Sequence, residues 1–198
     1  MTGPGRRTTA RRGHVQDGPG FFEDDDAQSD PAPTATPTPK PSGRRLVVEA
    51  DGGSRGNPGP SAYGALVRDA GTGEVLMREG LGLGETTNNV AEYSGLIAGL
   101  EMARAIDPAA EVEVRMDSKL VVEQMAGRWK VKHPSMIPLA RRASTLRPVA
   151  VTWTWVPRAE NKAADALVNL ALDGAPVTRS GSADAPDGPP VGSSAPGS

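Results

Sequence analysis

The 198-residue chain predicts an α/β fold: a mixed five-stranded sheet with helices on both faces. Two observations carry this. Apolar segments follow one another as strand, hairpin, helix, strand, two helices, strand and helix, and helices inserted between later strands imply a mixed sheet with helices on its faces. The composition also changes near residues 44 and 173, which bounds one compact domain.

Arg45 to Ala50 is a short apolar run ending at Gly52-Gly53, the mark of a buried strand with a turn behind it. Ala62 to Asp69 and Glu74 to Leu83 flank Ala70-Gly71-Thr72-Gly73 and read as an antiparallel hairpin. Thr87 or Asn88 caps a helix to about Ile106, with Leu96, Leu100 and Ala103 at helical spacing and Asp107-Pro108 as the stop. Glu111 to Met116 alternates as a strand. Ser118 then caps a helix through Met125 that Gly127 ends, and a further helix follows Pro134 until Pro148. Val149 to Val156 alternates apolar residues with Thr and Trp, and Glu160 to Leu172 is a final amphipathic helix closed by Gly174.

Outside this domain the chain reads differently. Residues 1–43 carry paired arginines, the acidic run Glu23-Asp24-Asp25-Asp26 and a Pro/Thr/Ala stretch, too little apolar surface to offset chain entropy, so a disordered arm is expected. Residues 174–198 are Gly, Ser, Pro, Ala and Asp, the composition of a tail or linker. Neither end is expected to add to stability. The chain has no cysteine, which excludes disulfides and thiolate metal sites and suits a reducing, cytoplasmic setting. No apolar stretch approaches the length of a membrane span, so no membrane partner is expected. From Arg44 to Asp173 there are sixteen Lys plus Arg and sixteen Asp plus Glu. A nucleic acid would therefore be met by a local patch, not a global field.

Four carboxylates carry the chemistry: Asp51 in Asp51-Gly52-Gly53-Ser54-Arg55-Gly56-Asn57-Pro58-Gly59, Glu92 in Thr87-Asn88-Asn89-Val90-Ala91-Glu92-Tyr93, Asp117 in Met116-Asp117-Ser118, and Asp165 in Glu160-Asn161-Lys162-Ala163-Ala164-Asp165. Asp51, Asp117 and Glu92 lie at the edge of or within apolar segments, where ionised acids are costly unless cations compensate them. Hard oxygen ligands without Cys or a usable His select magnesium or manganese over zinc. Each acid alone has a plainer reading: a turn for the glycine loop, a surface acid for Glu92, a helix cap for Asp117, an exposed helical acid for Asp165.

In order, spacing and flanking residues the four segments resemble the type 1 ribonucleases H, over about Arg44 to Asp173. The resemblance implies the ribonuclease H-like fold and hydrolysis of the RNA strand of RNA/DNA hybrids by two magnesium ions, with manganese a possible substitute. Asp51 would bridge both ions, Asp165 complete one, and Glu92 with Asp117 the other. It further implies that Gly52, Gly53, Ser54 and Asn57 approach the RNA backbone, and that Thr87, Asn88, Asn89 and Ser118 bind the hybrid. Where some relatives carry a basic residue two before this Thr, the chain has Glu85. A loop His found in many bacterial relatives is also missing, and Arg158 occupies the shorter loop, either as a phosphate contact or as a solvated arginine. Arg128-Trp129-Lys130-Val131-Lys132 supplies a short basic cluster, with Trp129 either on a sugar or in the core. A monomer is expected. Two rival readings are a non-catalytic hybrid-binding module and the nuclease half of a larger nuclease/phosphatase, since related chains continue through a linker into a phosphatase domain.

Overall fold

A computed structural model describes residues 42–181, and the expectations for most of the N-terminal arm and for 182–198 lie outside the described residues. The elements are β1 (Arg45–Ser54), β2 (Gly59–Asp69), β3 (Val75–Thr86), α1 (Asn88–Ile106), β4 (Glu111–Met116), α2 (Lys119–Met125), α3 (Met136–Thr145), β5 (Ala150–Trp155), α4 (Lys162–Leu172) and β6 (Val177–Gly181). The sheet order is β5-β4-β1-β2-β3-β6. β1 pairs parallel with β4 and antiparallel with β2, and β4 pairs parallel with β5. The sheet is thus mixed, with β1 inside it and buried from Leu46 to Gly52.

Two glycines show how the helices reach the sheet. A Cβ on Gly52 would stand 2.1 Å from the Glu92 amide nitrogen, and one on Gly64 would stand 2.3 Å from the Ala164 carbonyl oxygen. Any larger residue would push the helices outward. α1 therefore lies against one face of β1, and Gly53, the next residue along the strand, turns its opposite face to Val168 of α4. The α1 face holds the main core, including Leu46, Val48, Tyr93, Leu96, Leu100, Val114 and Val121. At about 25 cal/mol per Å2 such burial is the principal stabilising term.

α1 starts where expected: Thr87 Oγ1 accepts from the Val90 amide, and Asp107 ends the helix. Three expectations need correction. Ser118 occupies the N-cap position of α2 but its side chain makes no capping bond. The last helix begins later than Glu160, because Pro157 is extended and Arg158–Glu160 forms a separate 3-10 turn. This shift moves Asp165 into the first turn of α4, where the helix dipole favours an acid.

The third correction is a sixth strand. Residues 177–181, expected in the tail, pair antiparallel with Met77 to Gly80 of β3. A charge inside the domain explains why so polar a segment docks. Glu79 is 5% exposed; it accepts from the Tyr63 hydroxyl and from Arg179 Nε of β6, and Arg179 also donates to Glu101 of α1 at 3.2 Å. Composition alone cannot reveal this, since the partner of Arg179 is an acid a hundred residues away. Replacing Arg179 with Ala should lower stability by about 2 kcal/mol, a value reduced for the partial exposure of the arginine. Ending the chain before Val177 should do at least the same. A thermal midpoint unmoved by either change would return β6 to the status of a dispensable tail.

Candidate active site

The C-terminal ends of the parallel strands β1 and β4 lie side by side, and α1 and α4 approach them from opposite faces. This brings Asp51, Glu92, Asp117 and Asp165 to a single cleft of about 250 Å3, shared with Asn88 and Arg158. Strand direction, helix position and the 3-10 turn each contribute one wall.

Asp51 is 4% exposed and Glu92 is 7% exposed. Burial and the neighbouring Asp117 carboxylate push Asp51 up to about 7, against the bond it accepts from the Gly52 amide at 2.9 Å. Burial, then Asp51 and Asp117, push Glu92 up to about 9. Asn88 Nδ2 approaches Glu92 Oε1 at 3.4 Å, while Glu92 Oε2 is buried with no hydrogen-bond partner. Asp117 Oδ1 accepts from Asn161 Nδ2 at 2.8 Å. Asp165 accepts from Arg158 at Oδ1 and from Asn169 Nδ2 at Oδ2, the latter at 2.9 Å.

Among the described residues no three acids or histidines already close around one point as a cation cage. Asp165 is held at the wall of the cleft by the Arg158 guanidinium and the Asn169 side-chain amide. The donor set nevertheless fits a hard divalent cation. It offers carboxylate oxygens only, two of its acids are held against ionisation, and Glu92 Oε2 lacks any donor.

The flanking residues separate into groups. Gly52, Gly53 and Ser54 line the cleft, although the Ser54 hydroxyl donates back to the Gly56 carbonyl within its loop. Asn57 accepts from the Asn88 amide at 3.2 Å and so joins the glycine loop to the start of α1. Thr87 is engaged as the helix cap, Asn89 is exposed beside it, and Ser118 is half-buried after Asp117. Trp129 is 47% exposed, so it is not a core residue. Arg128 bonds Glu123 through both Nε and Nη2, which leaves Lys130 and Lys132 as the cations of that cluster without an ion pair among the described residues.

Sequence reading missed Asn161, Asn169 and Arg55. Asn161 stands in a recognisable motif, but its spacing gives no hint that it reaches β1 and β4. Arg55 pairs with Asp173 and donates to the Leu172 carbonyl at 3.2 Å, fastening the glycine loop to the end of α4.

A reverse transcriptase-like family profile matches residues 49–171, most of the folded domain. A ribonuclease H of Hydrogenovibrio crunogenus is 34% identical, and the match covers 97% of its length. The chain belongs to the ribonuclease H family. A bifunctional protein of Mycobacterium tuberculosis is 52% identical over 142 residues, 71% of this chain and 39% of the relative. The chain thus matches well under half of that longer protein. Ribonuclease HI of Halobacterium salinarum is 44% identical over 135 residues, 67% of each chain. Among solved structures, the N-terminal ribonuclease H domain of the mycobacterial protein, fused to maltose-binding protein, is 54% identical with a TM-score of 0.64, covering 67% of this chain and 96% of that one. LC11-RNase H1 in complex with an RNA/DNA hybrid is 40% identical with a TM-score of 0.62, covering 66% and 98%. Ribonucleases H depend on divalent metal ions. Among the described residues no helix of this member is long and apolar enough to cross a membrane.

The raised acids set a pH dependence for this ribonuclease H domain without metal. Both folded-state values lie above the ordinary carboxylate range, so the unfolded chain releases these protons first. Their contribution to stability is full below about pH 4 and is lost as pH rises through about 7 and then about 9. Asp51→Asn should therefore stabilise the metal-free protein at pH 8 by on the order of 2 kcal/mol and have little effect at pH 4. Thermal melts at the two pH values in EDTA test this; equal shifts at both would contradict it.

Proposed function

We propose that this chain is an endoribonuclease that hydrolyses the RNA strand of RNA/DNA hybrids. The observation that carries the reading is the meeting of four carboxylates at one cleft, with a buried Glu92 oxygen lacking a donor, inside a ribonuclease H domain. Asp51, Glu92, Asp117 and Asp165 are the proposed ligands of two magnesium ions, with manganese as the alternative. When bound, such ions supply Lewis acidity toward the phosphate and a water of lowered pKa.

The protein's own groups do the rest. Asp51 lies nearest the middle of the sheet end and is proposed to serve both ions, Asp165 the side of the attacking water, and Glu92 with Asp117 the side of the leaving oxygen. The Gly52–Gly53 backbone lines the cleft and is proposed to meet the RNA strand, whose 2′-hydroxyls distinguish it from DNA. Asn88, which lines the cleft, and the exposed Asn89 at the start of α1 are the proposed contacts to the hybrid, and Glu85 would weaken the hold on a DNA phosphate there. Arg158, exposed and bonded to Asp165, can turn to a substrate phosphate once metal occupies the carboxylate. A reducing, cytoplasmic setting suits a chain without cysteine.

A second reading has a specific observation behind it: this domain is the nuclease part of a longer bifunctional protein. The 39% share of the mycobacterial relative favours it. The presence of all four carboxylates counts against a purely binding module.

With magnesium present, the protein should cut the RNA of a labelled hybrid and leave single-stranded and double-stranded RNA intact. Cleavage in excess EDTA, or equal cleavage of single-stranded RNA, would refute the assignment. Asp51→Asn and Asp117→Asn should each reduce turnover by at least about a thousandfold while hybrid binding persists, since each keeps its shape and loses a ligand charge. Near-normal turnover in either would remove it from the site. Replacing Lys130 and Lys132 together by Ala should flatten the log–log salt dependence of hybrid binding by up to about 1.8 units, the value for two phosphate contacts on duplex DNA. An unchanged slope would take that cluster off the binding surface.

A further inference from the structure

Asn161 is 1% exposed and holds the N-cap position of α4. An Asn there ordinarily turns its side-chain oxygen onto the free amides of the first helical turn. This one makes no capping bond. Its Nδ2 donates instead to the Ala50 carbonyl at 2.9 Å and to Asp117 Oδ1 at 2.8 Å, while its own backbone carbonyl accepts from the Asp165 amide at 3.1 Å. Its Oδ1 is buried without a partner. Both side-chain contacts are acceptors, so chemistry dictates which end of the amide faces them. The cap is forgone and an acceptor is left orphaned. Helix capping therefore does not account for the arrangement.

The three contacts share a pattern. Ala50 immediately precedes Asp51, Asp117 is contacted directly, and Asn161 stands one helical turn before Asp165 at the start of α4, so its side chain joins the elements bearing three of the four carboxylates. Asp117 is also gripped from the other side, because the Trp155 indole Nε1 donates to its backbone carbonyl at 3.0 Å. Asn161 engages carboxylate oxygen Oδ1 of Asp117, and Asp117 lines the cleft.

We propose that Asn161 is a positioning residue: it holds the Asp117 carboxylate in one orientation and fixes the spacing of Asp51, Asp117 and Asp165 before any cation binds. This rests on the reading of those acids as metal ligands. Without the amide, repulsion from Asp51 would turn the Asp117 carboxylate away, and a cation that demands strict octahedral geometry would lose a placed ligand. Hybrid affinity, set by phosphate contacts elsewhere, would change little.

The test uses the full chain and four variants, Asn161→Ala, Asn161→Asp, Asp117→Asn and Asp117→Ala. Asn161→Ala should lower kcat on a hybrid about 10–100-fold with KM nearly unchanged. Its magnesium affinity, measured by calorimetry without substrate, should fall by about tenfold. Asn161→Asp, which sets an acceptor against two acceptors, should be worse on both measures. A readout that needs no Asn161 variant to fold is the side-chain amide of Asn161 in the metal-free protein, followed by 15N NMR. Its two protons should exchange slowly in the unaltered protein, and one should become labile in Asp117→Ala. Asp117→Asn with normal turnover would overturn the ligand reading itself. An inert Asp117→Asn beside an Asn161→Ala that keeps normal kcat and magnesium affinity would overturn only this inference, as would an Asn161 amide whose exchange ignores Asp117→Ala.

Discussion

The contact between β1 and α1 at Gly52 governs everything at the catalytic end of this domain. With no side chain at that position, the backbone of Ala91 and Glu92 comes within van der Waals reach of the strand. Asp51 and Glu92 are consequently neighbours in a nearly dry place. A larger residue at position 52 would part the helix from the strand, widen the cleft and let water to both acids.

That closeness creates an electrostatic cost the fold does not remove by itself. Arg158 and Asn169 answer for Asp165, and Asn161 answers for one oxygen of Asp117, but among the described residues Asp51 and Glu92 accept hydrogen bonds only from the amides of Gly52 and Asn88 and share the cleft with the Asp117 carboxylate. The domain is strained electrostatically at its most buried pair. Metal affinity is the natural complement of that strain, because a cation restores ionisation where burial opposes it. Stability lost at the site and ligand strength gained there are two aspects of one arrangement.

Elsewhere the domain treats charge in the opposite way. Glu79 is as buried as Asp51, yet Tyr63 and Arg179 satisfy both of its oxygens, and the chain after α4 folds back as β6 to bring the arginine there. Glu101 ties the same arginine to α1 and accepts from Arg142 of α3. A paired acid thus holds the far edge of the sheet together, while the unpaired acids are reserved for the cleft. The contrast separates a structural carboxylate from a chemical one better than burial does.

Local patterns were enough to determine the order of five strands and the helices between them, the cap at Thr87, the stop at Asp107 and the four acids that meet at the cleft. Each depends on residues within a few positions of one another, or on a motif whose spacing is itself the signal. The sixth strand, the late start of α4, the idle side chain of Ser118 and the tie from Arg128 to Glu123 were decided only in three dimensions. So were the contacts of Asn161, which in sequence is one residue of the Glu160-Asn161 motif and in the fold links β1, β4 and α4. The physical reason is the same in each case: a polar side chain takes the strongest unsatisfied partner within reach, and reach is set by which distant segments the packed sheet brings together.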